Sequence, residues 1–169
     1  ADLLALADAA KRPALLFVPM VESAAEIAIV RSVLADPSVE FVPLIETVTG
    51  LANAGAIAAE PGVAALMLGG ADLSAQLDVT LSWEPLLVAR SQLVMAAAGA
   101  GKRAIDVPYI HLDDADGLVE ECRRAKALGF AAKAAIHPAQ IAPIHSVFRP
   151  TAEEIAEALA AELAFAEAG

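Results

Sequence analysis

The chain has 169 residues with 22 acids against 11 bases, a net charge of −11, and that balance repels nucleic-acid phosphates and anionic membrane surfaces. Hydrophobic residues make up 58% of it, but much of that is alanine, and no run approaches the roughly 18 apolar residues that a membrane span needs. One cysteine, Cys122, excludes a disulfide framework and a thiolate metal cluster, and 4% aromatics leave little for a carbohydrate- or base-stacking platform. The length suits one domain with a real core. The N-terminal ADLLALADAAKRP lacks the basic start and apolar stretch of a signal peptide, so the expectation is a soluble, cytoplasmic protein.

Strand-like and helix-like segments alternate in chain order. Residues 14–19 (ALLFVP) form an apolar run bounded by prolines, and the helical SAAEIAIVRSVLAD follows, with Glu26 three residues after Ser23 as in a capping box. FVPLIE (41–46) predicts the second strand, and TGLANAGAIAAEPG predicts one helix stopped by Pro61-Gly62. VAALML (63–68) predicts the third strand, with ADLSAQLD as a short helix or turn after it. A long helix is expected over 83–98, a fourth strand over 103–108 and a helix over 113–128 that begins with acids and ends at Gly129. FAAKAAI (130–136) predicts a fifth strand, and after His137-Pro138 come a helical turn and a last amphipathic helix. Short strands that are apolar on both faces, regularly separated by helices, predict βα units around a buried parallel sheet. A complete eight-stranded barrel needs about 250 residues. On pattern alone, therefore, both an open five-strand sheet and part of a barrel stand.

Two of the strand runs deliver an acid: FVPLIET places Glu46, and VAALMLGGADLS places Asp72 just after Gly69-Gly70. In parallel α/β proteins, ligands gather at strand C-termini, and two carboxylates with waters suffice for Mg²⁺, which prefers hard oxygen ligands. The plainer reading makes each acid the start of a helix. The glycine pair would let backbone approach a ligand, with the N–H groups of Ala71 and Asp72 free to take a carboxylate; a tight turn explains it equally well. Asp106 closes the fourth strand as a support, cap or buried ion-pair acid. Arg90 most simply tethers its helix to a carboxylate, and Lys133, inside a strand, reaches a carboxylate or sends its head to the rim.

In order and over nearly the whole chain, VPMVESAAEI, PLIETVTGLANAGAIAAEPGVAALMLGGADLSAQL, LLVARSQLVMAAAGAGKRAIDVPY and LGFAAKAAIHPAQI, with SVFRPTAEEI after them, resemble the citrate lyase beta-subunit-like proteins. That family includes malyl-CoA lyases and related acyl-CoA lyases and thioesterases. The resemblance implies a TIM-type (β/α)8 barrel of which this chain matches the C-terminal five βα units, fourth to eighth, over 1–148, with a C-terminal helix over 149–169. It implies Mg²⁺ held by Glu46 and Asp72, a substrate carboxylate oriented at Gly70, Ala71 and Asp72, and an acyl-CoA thioester as substrate. It also implies a homo-oligomer, a trimer or a multiple of one. The implied reaction is carbon–carbon cleavage of a β-hydroxyacyl-CoA into an acyl-CoA and a keto acid. His137 and Asp106 are the candidates for catalytic roles. Met20 stands where many citrate lyase-like relatives carry lysine, which draws the comparison toward metal-dependent hydroxy-ketoacid aldolases, and Ala71 replaces a common acid. The arginine that the family places after its third strand has no counterpart here. A thioesterase and a truncated, non-catalytic structural homologue are the remaining alternatives.

Overall fold

The computed structural model describes residues 2–168. Five parallel strands, β1 (Leu15–Val18), β2 (Glu40–Ile45), β3 (Ala65–Leu68), β4 (Arg103–Asp106) and β5 (Ala132–Lys133), lie side by side in chain order. A doubly wound sheet reverses its order at a switch point, whereas this one steps in a single direction as a barrel wall does.

Helices α2 (Ala24–Leu34), α4 (Ala54–Ala58), α6 (Trp83–Gly99) and α7 (Ala115–Leu128) supply the crossovers. Their ends follow local chemistry. Glu26 of α2 turns back to accept the N–H groups of Glu22 and Ser23 at 2.8 and 3.4 Å. Asp114 accepts the Gly117 N–H at 2.8 Å to cap α7, and Gly129, at φ +112°, ends it. The segment expected as one helix after β2 is two, α3 (Val48–Ala52) and α4, broken at Asn53. There the Asn53 side chain leaves the helix to donate to the Glu22 carbonyl at 2.8 Å, the backbone competition typical of asparagine. Further differences are a short N-terminal helix, α1 (Asp2–Ala7), a full helix α8 (Ile141–Phe148) after a 3-10 turn at Pro138–Gln140, and a β5 of only two residues. The remaining helices are α5 (Gly70–Leu77) and α9 (Ala152–Ala168).

Register assigns the faces of the sheet. Leu16 pairs with Phe41, Ile45 with Leu68, Leu66 with Ala104 and Asp106 with Lys133, and this face meets the helices. Its apolar members pack with Ile27, Ile57, Leu86, Leu93 and Ala125 in one core. The opposite face carries Phe17 beside Val42, and a row of Leu44, Met67, Ile105 and Ala132. That face is apolar; Val42 on it is buried, while Phe17 on β1 is 48% exposed.

Between β4–β5 and helices α6–α7 lies a charged cluster inside the core. Asp106, 0% exposed, takes Arg90 Nε on one oxygen and Lys133 Nζ on the other, both at 2.8 Å. Lys133 Nζ also donates to Glu121 Oε1 at 2.6 Å and to the Val107 carbonyl at 2.7 Å, and Arg90 Nη2 stands 3.7 Å from Glu121. Two acids and two bases cancel. Breaking such a set by removing one partner typically costs about 3–5 kcal/mol, because a buried charge loses its counter-ion. Lys133→Met is expected to lower unfolding free energy by about that amount, read in urea by the fluorescence of Trp83, the single tryptophan. Wild-type stability in this variant would show that the cluster carries no such weight.

Candidate metal and carboxylate site

Glu46 follows β2 and Asp72 lies in the first turn of α5, which follows β3. Because β2 and β3 are neighbours, the two acids emerge from adjacent loops at the same, C-terminal end of the sheet. Two contacts draw these loops together. The Gly69 N–H donates to the Ile45 carbonyl at 2.9 Å, and Val48 N–H donates to Gln76 Oε1 at 2.8 Å. Gln76 lies four residues, about one helical turn, after Asp72, so the face of α5 that carries Asp72 is the face turned toward the Glu46–Val48 segment.

Glu46 is 9% exposed and closely held. Its Oε2 accepts the Met20 N–H at 2.9 Å. On the other side, a Cβ built on Gly69 would overlap Glu46 Cγ and stand 2.6 Å from Oε1, so the carboxylate rests on a bare Cα. Gly70 is equally confined: a Cβ there would come 2.7 Å from Val107 Cγ1 and 3.0 Å from Leu81 Cδ1. Gly69 offers no side chain to cap α5, which leaves the first N–H groups of that helix for an outside acceptor. Thr47 caps α3 through the Gly50 N–H at 3.0 Å, fixing the residue next to Glu46.

The donor set is selective. Among the described residues no group of three His, Cys, Asp or Glu side chains converges as a metal cage. Two carboxylates alone suit an ion that keeps its waters and bonds to hard oxygen, as Mg²⁺ does, and do not suit a closed Zn²⁺ site. Cys122 is buried, and desolvation pushes its thiol up to about 11, which makes it a packing residue.

The other candidates lie elsewhere. Asp106 points to the helix side with both oxygens occupied by cations. His137, after β5, is exposed, and its Nδ1 accepts the Ala139 N–H at 3.1 Å, capping the 3-10 turn; two strands separate β5 from β2. Arg90 meets a carboxylate, as expected of it, and Lys133 takes the first of its two expected courses and meets one too. A cavity of about 190 Å³ lies between the start of α6 and the loop after β4, lined by Trp83, Arg90, Tyr109, His111 and Glu121 among others. Leu81 and Val107 line it as well and are two of the three residues that close on Gly70, with Leu86 the third.

Sequence reasoning missed the supporting groups. Gln76 carried a readable sign, its spacing from Asp72. Gln140, buried, spans Ile136 N–H at 2.9 Å and the Tyr109 carbonyl at 2.6 Å, a long-range link that no local pattern announces. Tyr109 donates to Asp114 Oδ2 at 2.6 Å.

Residues 4–138 match the HpcH/HpaI aldolase/citrate lyase family. The chain belongs to that family. It is 41% identical over 93 residues to the mitochondrial citramalyl-CoA lyase of Rattus norvegicus, a match covering 54% of this chain and 28% of that relative. Among solved structures it is similar to RipC from Yersinia pestis, with a TM-score of 0.87, 42% identity and coverage of 91% of this chain and 72% of that one. It is also similar to CitE from Mycobacterium tuberculosis in complex with magnesium, acetoacetate and coenzyme A, with a TM-score of 0.77, 31% identity and coverage of 99% and 62%. The match thus spans well under half the length of the curated relative.

Two outcomes follow from the local geometry. Gly69→Ala, at an ordinary φ of −96°, meets no backbone penalty but must displace Glu46. An unfolding free energy lower by about 1–3 kcal/mol in urea is expected from such overpacking, and an unchanged value would remove the close contact. Tyr109 is the single tyrosine; its bond to Asp114 and partial burial push its hydroxyl up to about 12, while the same bond and the Gly117 N–H hold the Asp114 carboxyl below its usual range. The raised phenol contributes stability that is complete below about pH 10 and fades as pH rises toward 12. Absorbance of the phenolate should place the wild-type midpoint near 12 and that of Asp114→Asn nearer to about 10.

Proposed function

We propose that the protein is a Mg²⁺-dependent carbon–carbon lyase acting on a β-hydroxyacyl-CoA thioester, releasing an acyl-CoA and a keto acid. The observation that carries this reading is the placement of Glu46 and Asp72 on adjacent strand-end loops of a chain in the aldolase/citrate lyase family. Two similar proteins support it, one a citramalyl-CoA lyase and the other a CitE in complex with magnesium, acetoacetate and coenzyme A. The strictly sequential strand order and the apolar face opposite the helices support a further part of the reading, that these are the fourth to eighth units of an eight-unit barrel.

Glu46 and Asp72 would hold the ion through carboxylate oxygens. Glu46 enters with Oε2 already committed to the Met20 N–H and Oε1 against Gly69, so it spends little freedom on binding. The N–H groups that begin α5 orient the substrate carboxylate, and the packing of Gly70 on Val107 and Leu81 keeps that turn in place. When bound, Mg²⁺ supplies Lewis acidity to the carbonyl that forms on the keto-acid fragment. Asp106, with both oxygens engaged by cations, supports the frame and takes no proton in this scheme.

The test is an assay with citramalyl-CoA, malyl-CoA and citryl-CoA, following keto acid and free thiol separately. Keto-acid release that stops with EDTA and returns with Mg²⁺ is expected. Glu46→Gln and Asp72→Asn should each lower kcat by about 100-fold or more with the fold retained by circular dichroism. Thiol release without keto acid would make the protein a thioesterase. Full turnover in Asp72→Asn would dismiss the metal site.

A further inference from the structure

Three non-glycine residues adopt a positive φ among those described: Met20 at 54°, Ala35 at 50° and Asp78 at 55°. Ala35 and Asp78 are the C-caps of α2 and α5, where a left-handed residue closes a helix as a matter of course. Met20 closes no helix. It stands two residues after β1, and its side chain is half out in solvent. The hydrogen bond that holds this residue is made by its backbone.

The Met20 N–H donates to Glu46 Oε2 at 2.9 Å. The next residue turns straight back, with Val21 N–H donating to the Leu44 carbonyl at 3.2 Å. Val21 is then locked from the other side: a Cβ on Gly50 would lie 2.5 Å from its carbonyl oxygen. The chain therefore leaves β1, makes one left-handed step at Met20, and rejoins the end of β2 one residue later. That step joins the two bonds, letting the Met20 N–H stay on the carboxylate while the Val21 N–H returns to Leu44. Uncommon backbone conformations of this kind persist only where the surroundings over-determine them, and they gather at functional sites.

We infer that Met20 is a positioning residue for the proposed metal site. Its left-handed backbone satisfies Oε2 of Glu46 and so fixes Oε1 on the Gly69 side, the side on which α5 and Asp72 begin. The inference rests on the Glu46–Asp72 metal reading, which it deepens by saying which oxygen is committed before an ion arrives. It assigns the work to backbone conformation and not to the thioether, so substitutions must sort by their tolerance of positive φ and not by size or polarity. Glycine and asparagine accept that region, whereas a β-branched residue resists it.

The experiment compares Met20→Gly, Met20→Asn and Met20→Val in the full chain, with Mn²⁺ as the probe ion followed by electron paramagnetic resonance and Mg²⁺ as competitor. Met20→Gly and Met20→Asn should bind Mn²⁺ as the unsubstituted protein does, and Met20→Val about 10-fold more weakly, the scale of losing a group that orients a metal ligand. Deuterium exchange at the amide of residue 20 gives a second readout that involves no metal: slow in the unsubstituted, Gly and Asn forms, faster in Val. Equal Mn²⁺ affinity and equal exchange in Met20→Val overturn the inference. If the amide is protected as expected but no form takes up Mn²⁺, the metal reading itself fails, while the hold on Glu46 is confirmed as a structural one. A thioether role would instead show as weakened binding in Gly and Asn along with Val, and that too overturns the inference.

Discussion

Asp106 has no access to solvent, and a bare carboxylate in that position would carry a desolvation penalty of several kcal/mol. Arg90 from α6 and Lys133 from β5 each take one of its oxygens, which pins a helix and a neighbouring strand to the end of β4. Two cations around one acid would leave an excess of positive charge, and Glu121 of α7 supplies the balance. Lys133 also holds the Val107 carbonyl, so the exit of β4 is fixed at the point where Val107 packs on Gly70. The first turn of α5 thereby rests on a wall that the charged cluster keeps still. No buried side-chain nitrogen or oxygen among the described residues lacks a partner, so the cluster is fully satisfied and specifies one arrangement of its four elements.

Three acids end or follow strands, and their partners separate their roles. Asp106 meets full cations on both oxygens; little negative potential remains for an outside ligand. Glu46 meets one backbone N–H, a dipole that orients it and leaves its charge in place. Asp72 is exposed on the first turn of a helix, where the positive end of the dipole favours a carboxylate. A strand-end acid with its counter-ions already supplied is a strut. One that is oriented but not neutralised is fit to meet a cation from solution.

This distinction was only partly legible in the sequence. The alternation of apolar runs and helices showed the βα units, because buried parallel strands and capped helices leave local marks, such as Ser23 with Glu26 and the glycine at 129. The same runs placed Glu46 and Asp72 at strand ends. The sequence also drew attention to Arg90 and Lys133, since a charge amid apolar residues must find a partner. It did not show that both converge on Asp106, because a partner 16 or 27 residues away is set by how the elements pack. The break at Asn53 was hidden for the same reason: its cause is the Glu22 carbonyl, 31 residues earlier. The left-handed turn at Met20 was hidden too, because a methionine carries no mark of positive φ.

The two faces of the sheet limit where chemistry can happen. On the helix side, the core and the charged cluster fill the space between layers. On the other side Phe17 stands beside Val42, and Leu44, Met67 and Ile105 form a row in register, the kind of apolar surface that makes the middle of a barrel a packed core and not a passage. A strand order with no reversal offers no crevice between diverging crossovers, which is where doubly wound sheets take their ligands. Apart from the cavity at the start of α6, the loops at the strand C-termini remain for a polar ligand. Glu46, the uncapped start of α5 and Asp72 stand there on neighbouring strands, with oxygen donors and N–H groups that a hard cation and a carboxylate can share.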